Sequence, residues 1–398
     1  MSEKPHGTGP MGFDAGASAL HCPPSMDRPD DTTSTDFEAA RVTVRLGAIV
    51  ANFKTVQRLA GPAAVAAVVK ADAYGTGLAP VAVAVAQAGC DSFFVARLEE
   101  GVALRPLVPA ARIFVLDGAQ PDAVPALISH RLTPVLNSIA EIAGWSAAAE
   151  ATKTRLDAAI HIDTGMNRLG MPASELATLS AEHTKRLDGI RLVLVMSHLA
   201  CADDCAAKMN RLQLERFRTA LAILPPAPAS LSASGGILLG KDYQFDVVRP
   251  GLCLYGGNPH PTAPNQFAVA VRLTARILQV HRVGKGETVG YGATFRTKRP
   301  SVLAAVALGY ADGLMRANSN RGLAAINGVR APMVGRISMD LVTLDVTDVP
   351  GLVTAGTQAE FVGDTITLEE AAEAANTISF EILTSLSRRA TRCYEAAP

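Results

Sequence analysis

From about residue 40 onward the chain alternates between two textures of apolar and polar positions. Short β-rich apolar runs occur at Ala63–Lys70, Ser92–Ala96, Arg112–Asp117, Leu132–Leu136, Asp157–Asp163, Ile190–His198, Ala229–Ser234 and Phe245–Leu252. Between most of them lie longer stretches in which apolar residues recur every three or four positions, among them Leu46–Leu59, Leu78–Gly89, Ile139–Ala151 and Asp204–Leu224. That recurrence places the apolar side chains on one helical face. Strands alternating with helices predict parallel pairing through βαβ crossovers. Eight such units match a (β/α)8 TIM-type barrel, which typically takes about 250 residues. An open doubly wound sheet shares the pattern, because periodicity does not reveal closure.

The texture changes near residue 265, after Pro259, Pro261 and Pro264. Runs such as Val271–Val283, Val302–Ala307 and Leu341–Val346 take over, and the last alternates apolar with polar as a half-buried strand does. Asn327-Gly328 lies between two β-capable runs, a strong two-residue hairpin signal. The expected architecture is therefore a disordered extension at 1–36, a barrel at 37–265, and a mostly antiparallel β domain at 266–398. Leu368–Ala375 and Phe380–Arg388 read as late helices within it.

Composition narrows the function classes. The 398 residues include 37 basic and 37 acidic side chains, so the formal charge is zero and nothing resembles a nucleic-acid footprint. Apolar residues make up 48% of the chain, ample for a core, yet no stretch reads as a membrane span or a signal-peptide core. A cytoplasmic location is expected by default. The six scattered cysteines suggest reduced thiols; His198, Cys201 and Cys205 lie close together, but no second cysteine pair completes a zinc pattern, and no metal is expected.

Active sites of barrels gather at the C-terminal ends of the strands. Lys70, Asp163, His198, Ser234 and Arg249 all fall at or just beyond such ends. Any one of them could be an ordinary loop residue; a strand-end lysine is usually just solvated. A lysine pushed into a partly apolar mouth, however, loses proton affinity and can condense with a carbonyl.

The motif around Lys70, VVKADAYGTG, closely resembles the lysine motif of alanine racemases. DTGMNRLG at Asp163–Gly170, SHLA at Ser197–Ala200 and RPGLCLYG at Arg249–Gly256 extend the match. VGYGATF at Val289–Phe295, GYADG at Gly309–Gly313 and VGRISMD at Val334–Asp340 continue it in the family's order. The resemblance implies a pyridoxal 5'-phosphate enzyme that interconverts L- and D-alanine. Such an enzyme would supply D-alanine for peptidoglycan or catabolise it. It also implies a barrel followed by a β domain, and a homodimer whose sites draw on both chains.

The same resemblance assigns roles. Lys70 holds the cofactor and is one base; Tyr291 is the other, on the opposite face of the substrate. Tyr74, Ser234 and the backbone N–H groups of Gly251 and Leu252 match the phosphate contacts, and Gly251 has no side chain to block that approach. His198 and Arg249 match a chain of groups behind the tyrosine and the cofactor ring. Arginine keeps its proton, so Arg249 would leave the ring nitrogen unprotonated. Arg168, Met339, Asp340 and Tyr310 match residues at the substrate and its entry channel.

Three positions depart from the family. His161 stands where many members carry a carbamylated lysine that orients the equivalent of Arg168; a neutral imidazole or a bound anion could do so instead. Ser232-Ala233 replaces a common asparagine before Ser234, and Arg388 replaces a tyrosine. The alternatives are a serine or broader-specificity racemase, since an added hydroxyl is hard for a small pocket to reject. A basic-amino-acid decarboxylase, a non-catalytic vitamin B6 carrier on a lone barrel and a cofactor-free barrel enzyme fit less well. Arg249 disfavours the first, and the β domain the second.

Overall fold

The computed structural model of the chain describes residues 38–396. The expected extension at 1–36, Cys22 included, lies outside the described residues. Eight parallel strand segments form a ring: Ala64–Val65 running on as Ala67–Val68, Ser92–Val95, Arg112–Val115, Thr133–Leu136, Leu156–His161, Ile190–Met196, Ala229–Ser230 and Val247–Val248. Val247–Val248 pairs in parallel with Ala64–Val65. On its other side the Arg249 amide donates to the Ser232 carbonyl at 2.9 Å, so the ring closes and the open-sheet alternative falls away. The strands are nearly continuous apolar runs because helices cover them outside while side chains fill the centre. Phe94 and Phe114, paired in register on adjacent strands, stack there with centroids 4.5 Å apart.

The amphipathic stretches become helices Leu46–Ala60, Leu78–Gln87, Ile139–Thr152 and Lys208–Ile223. The last begins four positions later than its periodicity suggested. The Asp204 side chain accepts from the Ala206 amide and the Asp204 carbonyl from Asn210, which holds 204–207 as a turn.

A second sheet of eight strands is built around Val271–Val283. A bulge between Ile277 and Gln279 divides this long strand. Its first part pairs antiparallel with Ala40–Arg45 and Gln358–Val362, and its second part with Ser301–Val306. Leu323–Ile326 and Val329–Pro332 form the hairpin expected at Asn327-Gly328, and the late helices are Leu368–Ala374 and Ser379–Ser385. The first strand, Ala40–Arg45, lies in this sheet and not in the ring, although its residues precede the barrel helices. It also pairs in parallel with the last strand, Thr391–Glu395. The cause is visible in its pattern: Ala40, Val42 and Val44 are buried, while Arg41, Thr43 and Arg45 alternate with them on the wetter face.

One buried polar side chain ties the passage between the two sheets to the barrel. Asn52, on helix Leu46–Ala60, donates to the carbonyls of Leu254 and Ala268 and accepts from the Ala268 amide at 2.7 Å. Asn52→Leu strands those backbone groups in an apolar setting, each at a cost of about 1–3 kcal/mol. A urea titration should show a midpoint lowered by a loss of about 2–4 kcal/mol with unchanged slope. An unchanged midpoint would mean that water replaces the amide.

Candidate active site

Lys70 follows the first barrel strand and opens a turn of unusual hand. Ala71, Asp72, Ala73 and Tyr74 all have φ between 51° and 57°. Left-handed backbone costs L-residues roughly 1–2 kcal/mol each, so the surroundings must hold it. Glu100 accepts from the Ala71 amide at 2.6 Å, and Asp72 accepts from the Leu78 amide at 2.7 Å. From the last strand, Arg392 donates to the Gly75 carbonyl and to the carbonyls of Leu386 and Ser387. The turn aims Lys70 at the barrel mouth. Burial lowers its pKa below the usual 10.5, the Arg168 charge lowers it further, and Glu100 and Asp117 partly oppose them.

Arg249 occupies the floor of the mouth, 3% exposed. It donates to Ser230 Oγ, to the Ser197 carbonyl at 2.7 Å and to His198 Nδ1 at 3.4 Å, and it sits over the Phe94 ring. Burial pushes its pKa down to about 9, which still leaves the guanidinium charged at neutral pH. Because arginine only donates, His198 Nδ1 must accept, which places the imidazole proton on Nε2. Burial first, then the Arg249 charge, push the His198 pKa down to about 3, so the ring is neutral. His161 is likewise pushed to about 4, chiefly by burial, and its Nδ1 lies 3.0 Å from Asn137 Oδ1.

Beside these groups is a cradle of donors. Ser234 Oγ accepts from the amides of Gly251 and Cys253 at 3.0 and 3.3 Å. A Cβ on Gly251 would lie 2.2 Å from Tyr74 Oη, so the phenol needs a glycine there. Tyr74 stacks on Tyr255 with centroids 4.6 Å apart, and burial raises its pKa well above 10, leaving a neutral hydroxyl that can donate. A phenol, a serine hydroxyl and backbone N–H groups meeting at one point suit a phosphate. The Val68 amide, two residues before Lys70, donates to the Pro250 carbonyl at 2.9 Å, so the strand end that carries Arg249 and Gly251 runs beside the one that carries Lys70, an arrangement that fits pyridoxal phosphate.

The remaining expected residues divide between two places. Arg168 is exposed on the loop whose turn Asp163 holds by accepting from the Gly165 and Met166 amides. Tyr310, Met339 and Asp340 sit on loops of the second sheet, and Tyr291 on the turn of a separate two-stranded hairpin, Thr288–Val289 with Phe295–Arg296. All four are exposed, Tyr291 by 73% and Met339 by 53%. Backbone bonds from Tyr310 to Ser338 and from Ala311 to Met339 hold two of those segments together. Among the described residues, no hydrogen bond joins Tyr291 to Lys70 within the chain. Arg388 is exposed.

Several supporting residues escaped the sequence reading. Asn137, Ser197 and Ser230 occupy strand ends like those already singled out, so position alone could have nominated them. The Cys253 amide, which donates to Ser234, was also not singled out. Arg392 left no local signal, because its partner Gly75 is 317 positions away. Cys205 pairs with His260 at 3.1 Å, a residue 55 positions distant.

Comparison with known proteins agrees with this geometry. The family model described as "Alanine racemase, N-terminal domain" matches residues 44–259, and "Alanine racemase, C-terminal domain" matches 270–394. A catabolic alanine racemase of Agrobacterium fabrum is 47% identical over 358 residues, covering 89% of this chain and 92% of that protein. An alanine racemase of Methylobacterium nodulans is 45% identical, covering 91% and 98%. The crystal structure of alanine racemase from Bartonella henselae, with covalently bound pyridoxal phosphate, superposes with a TM-score of 0.86 at 39% identity, covering 90% and 99%. From the barrel strands to the last strand of the second sheet, this chain belongs to the alanine racemase family.

Proposed function

We propose that the protein is a pyridoxal-phosphate-dependent alanine racemase, acting on both enantiomers with Lys70 and Tyr291 as its two bases. The observation that carries the reading is one arrangement: a lysine of depressed pKa at a barrel mouth that also holds a phosphate-shaped donor cradle and a buried arginine, charged at neutral pH. Lys70 would hold the cofactor covalently, and Tyr74, Ser234, Gly251 and Leu252 would hold its phosphate. When bound, pyridoxal phosphate supplies an electron-accepting ring conjugated to the substrate's α-carbon, which makes the α-proton removable.

The protein groups do the rest. Lys70, kept easy to deprotonate by burial, takes or returns the α-proton on one face. Tyr291 does so on the other. Arg249, charged at neutral pH, would offer the ring nitrogen a donor and not a proton, which would limit the ring's electron withdrawal and disfavour transamination. His198, a neutral Nε2–H donor, would support the tyrosine. Arg168 binds the substrate carboxylate. Met339, Asp340 and Tyr310 bound a space suited to a methyl side chain.

Tyr291 is proposed to act in the site of a second copy, so the working unit is a homodimer with shared sites. The exposure of Tyr291, Tyr310, Met339 and Leu341 in the loops of the 266–398 region supports this, since large apolar and aromatic groups seldom face water in number. A barrel over 37–265 that lends its first strand to the 266–398 sheet is the proposed domain plan. A cytoplasmic setting is proposed with it; the described cysteines are all free, and no described helix is long and apolar enough to cross a membrane.

Three outcomes are expected. Purified protein with pyridoxal phosphate and L-alanine should approach an equal mixture of enantiomers by chiral chromatography, and Lys70→Ala should abolish this. Cofactor-loaded protein that makes no D-alanine would refute the activity. Lys70→Ala and Tyr291→Phe, each inactive alone, should regain up to about one quarter of wild-type activity when unfolded and refolded together, because a mixed dimer has one intact site. No regain would place both bases in one chain. Finally, His198 and His161 are neutral when folded but titrate near 6.5 when unfolded, so stability is full above pH 6.5 and falls as the pH drops toward 4. The pH dependence of urea midpoints should report about two protons taken up on unfolding near pH 5, reduced by about one in His161→Gln.

A further inference from the structure

The two half-buried histidines at the barrel mouth carry opposite tautomers. Arg249 forces the His198 proton onto Nε2. At His161 the neighbour is Asn137, whose Nδ2 already donates to the carbonyls of Leu116 and Val135 at 3.2 and 2.8 Å. Those bonds orient the amide, so its Oδ1 is the atom facing His161 Nδ1 at 3.0 Å, and Oδ1 can only accept. The His161 proton is therefore on Nδ1, and Nε2 keeps a lone pair.

The direction of that lone pair follows from the loop above it. Asp163–Gly170 leaves the strand just after His161 and returns through a bond from the Met171 amide to the His161 carbonyl at 2.8 Å. A Cβ on Gly170 would lie 3.2 Å from His161 Cδ2, the carbon bonded to Nε2, so this edge of the ring lies under the returning loop. The loop carries one cation, Arg168, two residues before that contact. The charged groups acting on the ring are Arg249, Asp163 and Arg168.

We propose that Asn137 is a positioning residue that locks His161 as the Nδ1–H tautomer, so that its Nε2 lone pair accepts a hydrogen bond from the Arg168 guanidinium. The barrel mouth thus holds one fixed acceptor, at His161, and one fixed donor, at His198. Arg168 is oriented without any carbamate or bound anion. The tautomer stands by itself; its catalytic consequence rests on the racemase reading.

The test is a proton–nitrogen correlation spectrum of cofactor-loaded protein labelled at the histidine nitrogens, with the His161 signals identified by their loss in His161→Gln. The expected spectrum shows a protonated Nδ1 and a bare Nε2 at His161, and a mixture of tautomers in Asn137→Leu. In parallel, Asn137→Leu should raise KM for alanine about tenfold with kcat within about threefold, the loss of one hydrogen bond to a charged group. In the His161→Gln background, where an amide oxygen accepts without a tautomer to set, the same change should alter KM by less than about twofold. A proton on Nε2 in the wild type, an equal KM effect in both backgrounds, or activity that rises with added bicarbonate or chloride would overturn the proposal. The wild-type spectrum decides even if Asn137→Leu fails to fold. It also does so without turnover, so the expected tautomer in a protein that racemises nothing would count against the function and not against this assignment.

Discussion

A permanent positive charge buried at the floor of the barrel sets the terms for everything around it. Taking a guanidinium out of water is costly unless its donors are met. Arg249 meets them with the Ser230 hydroxyl, the Ser197 carbonyl, His198 Nδ1 and the face of Phe94. These partners come from separate strands, so the charge pins the register of the barrel mouth as well as its electrostatics. Its field helps keep both histidines neutral, and its donor-only chemistry fixes the proton on one of them. Ser197 then passes the constraint on: its hydroxyl meets Thr164, which Gln213 also holds while bonding the His198 carbonyl. The result is a polar network with its members paired, the condition under which buried polar groups specify one arrangement.

The lysine depends on a different support. Four consecutive left-handed residues after Lys70 store several kcal/mol of backbone strain by the usual cost of about 1–2 kcal/mol each. Glu100 restrains the turn from within the barrel, and Arg392 restrains it from the far end of the chain. Arg392 can do so because the last strand pairs with the first, Ala40–Arg45, in the second sheet. The opening and closing strands of the described chain thus bring a guanidinium against the lysine turn. The lending of the first strand joins the second sheet to the turn that follows Lys70.

What could be read from the chain without coordinates followed from local periodicity and local chemistry. The ring strands, the main helices, the Asn327-Gly328 hairpin and the strand-end positions of Lys70, His198, Ser234 and Arg249 are all expressed over a few neighbouring residues. Ala40–Arg45 fell within the expected barrel bounds because it precedes the barrel helices; its alternation of buried and wetter positions, as in a strand with one wet face, was not read. Closure of the ring depends on Val247–Val248 meeting Ala64–Val65, nearly two hundred residues apart, and no window of sequence reports that. The left-handed turn was hidden for another reason. Ala-Asp-Ala-Tyr has no intrinsic preference for that hand, and tertiary bonds impose it. Asn137 was missed because a strand-end asparagine is ordinary until its amide is seen to be oriented by two carbonyls.

Tyr291 lies in a loop whose geometry argues for a role outside its own chain. Gly290 and Gly292 have φ of 71° and 72°, and the intervening tyrosine is followed by Ala293 at 49°. A strained turn that presents an exposed phenol gains nothing for the stability of one copy, since the ring buries little there. Strain retained without local benefit is a mark of function. Nearby in sequence space but not in the turn, Tyr310 and Met339 are also held rigidly, by backbone bonds between their segments, and Arg389 pairs the carboxylates of Asp312 and Asp340 at 3.2 and 2.6 Å. Pairing those acids lowers the cost of covering the surface, and fixing the aromatic and thioether groups beforehand lowers the entropy lost on association. These loops are thus prepared to be covered. In the racemase reading proposed above, a second copy of the chain would cover them and bring Tyr291 to the barrel mouth in one contact.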